Sequence, residues 1–237
     1  MDFRSPLQWA IQHNHLDVVR LLIEHAADLE HVSATGWSPI FYCWPTMHFT
    51  GNERSEILRI LAEHSVLDFR QTDILDWTAL QRAAAFGTSQ DIITLLKLGA
   101  KPLERTLPLQ WSSIHYAVDA GNWNTFSALL PCYDNTLKDM VDDRGWSLLH
   151  LAASKGYEQI ISYLFQVGAN PRLQSQPSRS YLPESLFDRR CTPRDVAEAF
   201  GEEQDKVFAQ TAQELGIELD QEVYWDALWA VNSDDEC

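Results

Sequence analysis

The 237-residue chain lacks any apolar run near the roughly 20 residues that a membrane-crossing helix needs, so no membrane role is read from it. Its start, MDFRSPLQWA, puts an acid at position 2 with no apolar stretch behind it, and no secretory leader is read there. Cysteine is sparse. Cys43, Cys132, Cys191 and Cys237 are scattered with no C-x-x-C, which excludes a disulfide framework and a structural zinc site and points to the cytoplasm or nucleus. Basic charge is short as well: 18 Lys and Arg face 34 Asp and Glu, a formal net charge of −16. Phosphate backbones repel such a chain, so nucleic acid is excluded as a partner; the acidic surface either aids solubility or steers a basic protein. There is no Gly-rich phosphate loop, no H-E-x-x-H and no G-x-S-x-G, and neither a cofactor nor a metal is expected.

What the chain does have is a block that recurs. "GWSLLHLAASKG" (Gly145–Gly156) has fainter copies: "SPLQWAIQHNH" from Ser5, "GWSPIFYCWP" from Gly36, "DWTALQRAAAFG" from Asp76, "QWSSIHYAVDAG" from Gln110 and "CTPRDVAEAFG" from Cys191. The Ser or Thr that opens each copy falls at Ser5, Ser38, Thr78, Ser112, Ser147 and Thr192, at intervals of 33, 40, 34, 35 and 45 residues. Within each copy a short helix with small residues, such as Ala83-Ala84 or Ala152-Ala153, gives way to a polar or glycine turn. A second helix with apolar residues at helical spacing follows (Val18, Val19, Leu21, Leu22; Ile160, Ile161, Leu164, Phe165), closing at Gly99 or Gly168. One such pair cannot bury its apolar face alone, so each copy serves as core for the next.

At "SPLQWA", "SIHYA" and "SLLHLAA" the chain resembles the ankyrin repeat family, whose unit reads T-P-L-H-x-A over about 33 residues. The resemblance implies an all-α solenoid of stacked helix-turn-helix units with short hairpin fingers: about five full repeats near 5–35, 36–75, 76–109, 110–142 and 143–172, a degenerate one at 191–216, and a capping segment over 217–237. It further implies a non-catalytic module that recognises a protein through its concave face and fingers, either free-standing or as part of a larger protein.

Four tryptophans share one register, directly before the opening Ser or Thr: Trp37, Trp77, Trp111 and Trp146. In this family that place is the fingertip, so the four are expected to project from one edge and expose indole faces to a partner. Along the inner helices, Phe86, Asp119 and Lys155 precede the turn, with Trp9, Tyr42, Arg82 and Tyr116 on the adjoining face. The insertion Pro45–Arg54 adds His48 and Phe49. An alternative follows from the same residues: an aromatic groove binding a small molecule, or even catalytic, closed by that insertion and by the Arg172–Cys191 loop. His115 and Asp119 with Ser112 spell a Ser-His-Asp set, but His115 holds the repeat's structural histidine position, as does His150, and catalysis is not favoured.

Overall fold

The computed structural model describes residues 4–44, 54–64, 68–180 and 182–219. Among them there are helices and turns but no strand; the pairing between turns is limited to isolated bridges such as Thr72–Thr78, Thr106–Trp111 and Val141–Ser147. The chain forms two compact units, residues 1–134 and 135–237.

In the first unit, inner helices alternate with outer ones. Helix α1 (Pro6–Gln12) leads to α2 (Leu16–Glu24), a 3-10 turn at Pro39–Cys43 leads to α3 (Arg54–His64), α4 (Ala79–Phe86) to α5 (Ser89–Lys97), and α6 (Ser113–Asp119) to α7 (Trp123–Leu129). The inner set stacks in order, α1 on the 3-10 turn, that turn on α4, and α4 on α6; the outer set stacks likewise through α2, α3, α5 and α7. Ala83 and Ala84 are fully buried, and their small side chains let α4 and α6 approach closely. The second inner helix is cut short for a local reason. Trp44 precedes Pro45, and a residue before proline avoids the helical region, so Trp44 leaves it (φ −132°, ψ 64°) and the turn ends.

In the second unit α8 (Leu148–Lys155) pairs with α9 (Glu158–Gln166) and α10 (Pro193–Phe200) with α11 (Glu202–Glu214), α8 packing on α10 and α9 on α11. Each inner helix except the 3-10 turn starts with the same device. Ser5, Thr78, Ser112, Ser147 and Thr192 form capping boxes with Gln8, Gln81, His115, His150 and Asp195 at the third helical position. At three of these starts that side chain also binds the finger that follows. Gln8 Nε2 donates to the carbonyls of His31 (2.7 Å) and Trp37 (3.0 Å), Gln81 Nε2 to those of Glu104 and Trp111, and His150 Nε2 lies 2.9 Å from the carbonyl of Cys191.

The described residues of the Arg172–Cys191 segment pack within the second unit. Ser175 donates its N–H to the Cys191 carbonyl, Gln176 to that of Arg144 and Asp188 to that of Ser178, while Leu186 packs with Trp146, Cys191 and Val196.

Candidate functional site

The finger loops place the tryptophans at the base of each loop. The Trp37, Trp77, Trp111 and Trp146 carbonyls accept hydrogen bonds from the N–H groups of Ser33, Asp73, Thr106 and Asp142 at 2.9–3.0 Å, closing each loop where it enters the inner helix. Acceptors inside the loop complete the closure: Asp73 Oδ1 takes the N–H of Leu75 and Trp77, and Asp142 Oδ1 takes those of Arg144 and Trp146. The residue before each tryptophan (Gly36, Asp76, Gln110, Gly145) is left-handed, with φ between 56° and 74°. Each indole meets a ring of its own repeat's inner helix or turn: Trp37 meets Tyr42, Trp77 Phe86, Trp111 His115 and Trp146 His150.

The indoles of the first unit join a ribbon of alternating rings and charge. The Arg82 guanidinium lies 4.0 Å from the Trp37 ring centroid and 5.8 Å from that of Trp77, its Nε donates to Asp73 Oδ2 at 2.5 Å, and its Nη1 donates to the Trp44 carbonyl. Trp77 stacks on Phe86 and meets Tyr116 at 4.3 Å, which in turn meets Trp111 edge-on at 5.2 Å. Tyr42 packs edge-on against Trp37. Burial, opposed by the hydrogen bond with Thr106 and reinforced by Asp76, Asp73 and Asp119, pushes the Tyr116 hydroxyl up to about 12, so it stays protonated.

Burial divides the expected binding residues. Trp37, Trp77, Trp111, Phe86 and Asp119 are half-buried, while Trp9 and Lys155 are exposed. Tyr42, Arg82, Tyr116 and Trp146 are buried. Trp146 sits under Arg144 (4.1 Å) and among Leu186, Cys191 and Val196. His48 and Phe49, the rest of the insertion up to residue 53, and residues 220–237 of the capping segment lie outside the described residues. Trp9 stacks on His13 at 5.1 Å and lines an open groove with Pro6, Ala10, His15 and Val18. Ser112 and His115 do meet, with 3.0 Å between Oγ and Nδ1, but as cap partners buried at a helix start. Among the described residues no three His, Cys, Asp or Glu side chains group closely enough to hold a metal ion.

The exposed aliphatics in and beside the finger loops were missed in the sequence. Val32, Ile74, Leu75, Leu103 and Leu107 are 49–66% exposed, all in or beside three successive finger loops where polar turn residues are the rule. The loops touch. A Cβ placed on Gly36 would come within 2.6 Å of Ile74 Cγ2, and Asp76 Oδ2 accepts the Leu107 N–H at 2.8 Å. The signal was present as the apolar pairs inside "TDILDW" and "RTLPLQW".

Comparison with known proteins gives one answer for the fold. Family models of ankyrin repeats match residues 7–61 (many copies) and 103–175 (3 copies). A calmodulin-binding transcription activator 5 of Arabidopsis thaliana is 35% identical over 77 residues, which is 32% of this chain and 8% of that protein. A probable E3 ubiquitin-protein ligase XBOS33 of Oryza sativa subsp. japonica is 27% identical over 177 residues, 70% of this chain and 32% of that one. The chain thus matches a third or less of the length of these curated relatives. Among solved structures, the human ASB11 ankyrin repeat domain superposes with a TM-score of 0.65 at 20% identity, over 92% of this chain and 86% of that one. A chain from the complex of the Bdellovibrio bacteriovorus predatory endopeptidase Bd0816 with immunity protein Bd3460 gives 0.65 at 19% identity, over 87% and 98%.

Proposed function

We propose, since the chain belongs to the ankyrin repeat family, that it is a protein-binding module whose recognition edge is the row of finger loops in the first unit. Ankyrin repeats generally serve protein–protein interaction; the particular edge is our reading. The observation that carries it is the exposed aliphatics Ile74, Leu75 and Leu107 on two adjoining loops, with exposed Val32 just before the loop whose Gly36 meets Ile74. Leaving apolar area in water forgoes about 25 cal/mol per Å², and a contiguous exposed apolar patch marks an interaction site more often than a single exposed leucine does. Asp73, which accepts the Leu75 N–H and holds Arg82, ties the second loop to the ribbon, and a loop so held lowers the ordering cost of association. The acidic balance of the whole chain, −16, favours a partner with basic flanks.

The test compares proteins retained from cell extract by the wild-type chain and by an Ile74→Asp/Leu107→Asp variant, with the exposed Lys206→Ala as control. At least one partner kept by wild type and control should be lost with the double variant, whose melting temperature should be unchanged. Equal retention by all three would assign recognition to another surface.

A further inference from the structure

We propose that the edge of the first repeat, where α1 and α2 leave an open groove, receives residues 220–237 of a second copy of this chain. This surface is separate from the finger loops and does not rest on the docking reading above.

The edge is one half of the interface that the chain builds between its own repeats. The fourth residue after the opening Ser or Thr is Trp9, Tyr42, Arg82 and Tyr116 in the first unit, and the last three are buried. Arg82 and Tyr116 reach back to the preceding repeat, Arg82 to the Trp37 ring and the Trp44 carbonyl, Tyr116 to the Trp77 ring. The third residue of the outer helix does the same. Asp91 in α5 accepts from Trp44 Nε1 and Ser55 Oγ, and Thr125 in α7 donates to the Ala84 carbonyl at 2.6 Å. In the first repeat these two positions hold Trp9, 48% exposed, and Val18, 44% exposed, with Leu21 on the same face of α2 at 52%. Arg20 marks the other side of α2, since it pairs with Glu56 of the second repeat at 2.6 Å. Pro6, Trp9, Ala10, His13, His15 and Val18 line the groove. Apolar groups left exposed at positions that later repeats bury against a neighbour form a stacking face.

Composition and the far end of the array name the occupant. Residues 220–237 put Tyr224, Trp225, Leu228 and Val231 on one face at helical spacing, and they carry six acids with no Lys or Arg. Against these acids the edge sets the Arg4 guanidinium, 4.4 Å from the Trp9 ring, and the N–H donors of His13 and His15. Asp17 and Glu24 share a stripe of α2 with Arg20, beside the groove and not in its lining. The far end differs. The sixth residue after the opening Ser or Thr lies on the helix face that meets the next repeat, and Ile11, Trp44, Ala84, Val118 and Ala153 are buried there. In α10 that position is the exposed Glu198, tied to Arg194 at 3.3 Å, which also reaches Asp205 at 3.5 Å. An apolar stripe laid on that end would desolvate an ion-pair network, whereas at the first edge it meets Trp9, Val18 and Leu21. The face of two short helices is smaller than a standard interface, so association belongs in the range of about 10 µM to 1 mM.

Sedimentation equilibrium of the full chain tests this, with a thiol reductant present so that Cys237 forms no cross-link. The mean mass of the wild type should rise with concentration to the dimer or above. Val18→Asp at the edge and, separately, Trp225→Asp/Leu228→Asp in the segment should each stay monomeric. An equimolar mixture of the two variants, one with the segment intact and the other with the edge intact, should form a dimer and nothing larger. A fluorescein-labelled peptide of residues 220–237 should bind Val18→Asp at least about tenfold more weakly than wild type, by anisotropy. A monomeric wild type overturns the proposal. So does a segment variant that associates like wild type, which would mean that edge meets edge, or a mixture that stays monomeric while both variants keep their helical circular dichroism. If either variant loses that signal, the peptide decides with Leu21→Asp: equal binding to it and to wild type overturns the proposal.

Discussion

Arg82 is the residue on which the first unit's aromatic face converges, and it is 4% exposed. Its guanidinium is held by Asp73, by the Trp44 carbonyl and by the Trp37 ring, each from a different part of the chain. Removing one partner of a buried ion pair strands the other charge and costs about 3–5 kcal/mol. Arg82→Ala should therefore cost about that much in urea unfolding and shift the near-ultraviolet signal of the tryptophans. Arg82→Lys should recover only part of it, because an ammonium cannot serve the carboxylate, the carbonyl and the ring from one plane. A loss below about 1 kcal/mol for Arg82→Ala would mean that the ion pair contributes no more than an exposed one. Gly145 gives a second residue-scale test. Its φ is +70°, and an added Cβ would sit 2.9 Å from the backbone nitrogen of Gln176, which donates to the Arg144 carbonyl. Gly145→Ala should cost about 2 kcal/mol, combining left-handed strain with the clash, and speed hydrogen exchange at Gln176. An unchanged exchange rate would show that the 172–191 segment is held elsewhere.

At the scale of the element, the capping box at each inner helix start is the recurring device, and its third-position side chain decides how it responds to pH. Gln8 and Gln81 carry no titratable group, whereas His150 is buried and its pKa is lowered from 6.5 to about 4. Burial is the main cause, opposed by the hydrogen bond to the Cys191 carbonyl. The folded second unit thus keeps His150 neutral while the unfolded chain protonates below about pH 6.5. Its contribution to stability is complete above that pH and is lost progressively as pH falls towards 4, by roughly 3 kcal/mol in all. His150→Gln should flatten this slope in denaturant titrations at a series of pH values. An equal slope in the variant would assign the acid sensitivity to other groups. These boxes were legible in the sequence because Ser or Thr followed three residues later by Gln, His or Asp is a local pattern. The truncated second inner helix follows equally locally from Trp44 before Pro45. The half-burial of Trp37 did not, because what covers its ring is Arg82, 45 residues further along the chain. Local pattern marks a residue's register, while its exposure is decided by the neighbouring repeat. The exposed aliphatics were overlooked for the converse reason: Ile74 and Leu75 read as apolar, and only the packed structure shows that the described residues leave them more than half exposed.

At the scale of the whole molecule, charge governs how a partner arrives. The fixed formal charge of −16 acts at a distance, whereas the exposed aliphatics act only on contact, so the two should separate in kinetics. A field of that sign speeds the encounter with a basic partner without holding it once docked. Salt shortens the reach of the field from about 30 Å at 0.01 M to about 8 Å at 0.15 M. The association rate of the partner that the wild-type chain retains from extract should therefore fall by about tenfold or more over that range, while its dissociation rate changes by less than about twofold. The Ile74→Asp variant gives the opposite pattern: its dissociation is faster, and its association is as salt-sensitive as wild type. If salt instead accelerates dissociation while association stays constant, the charges are acting as direct ion pairs at the docked surface, and the division between a steering field and an aliphatic contact is wrong.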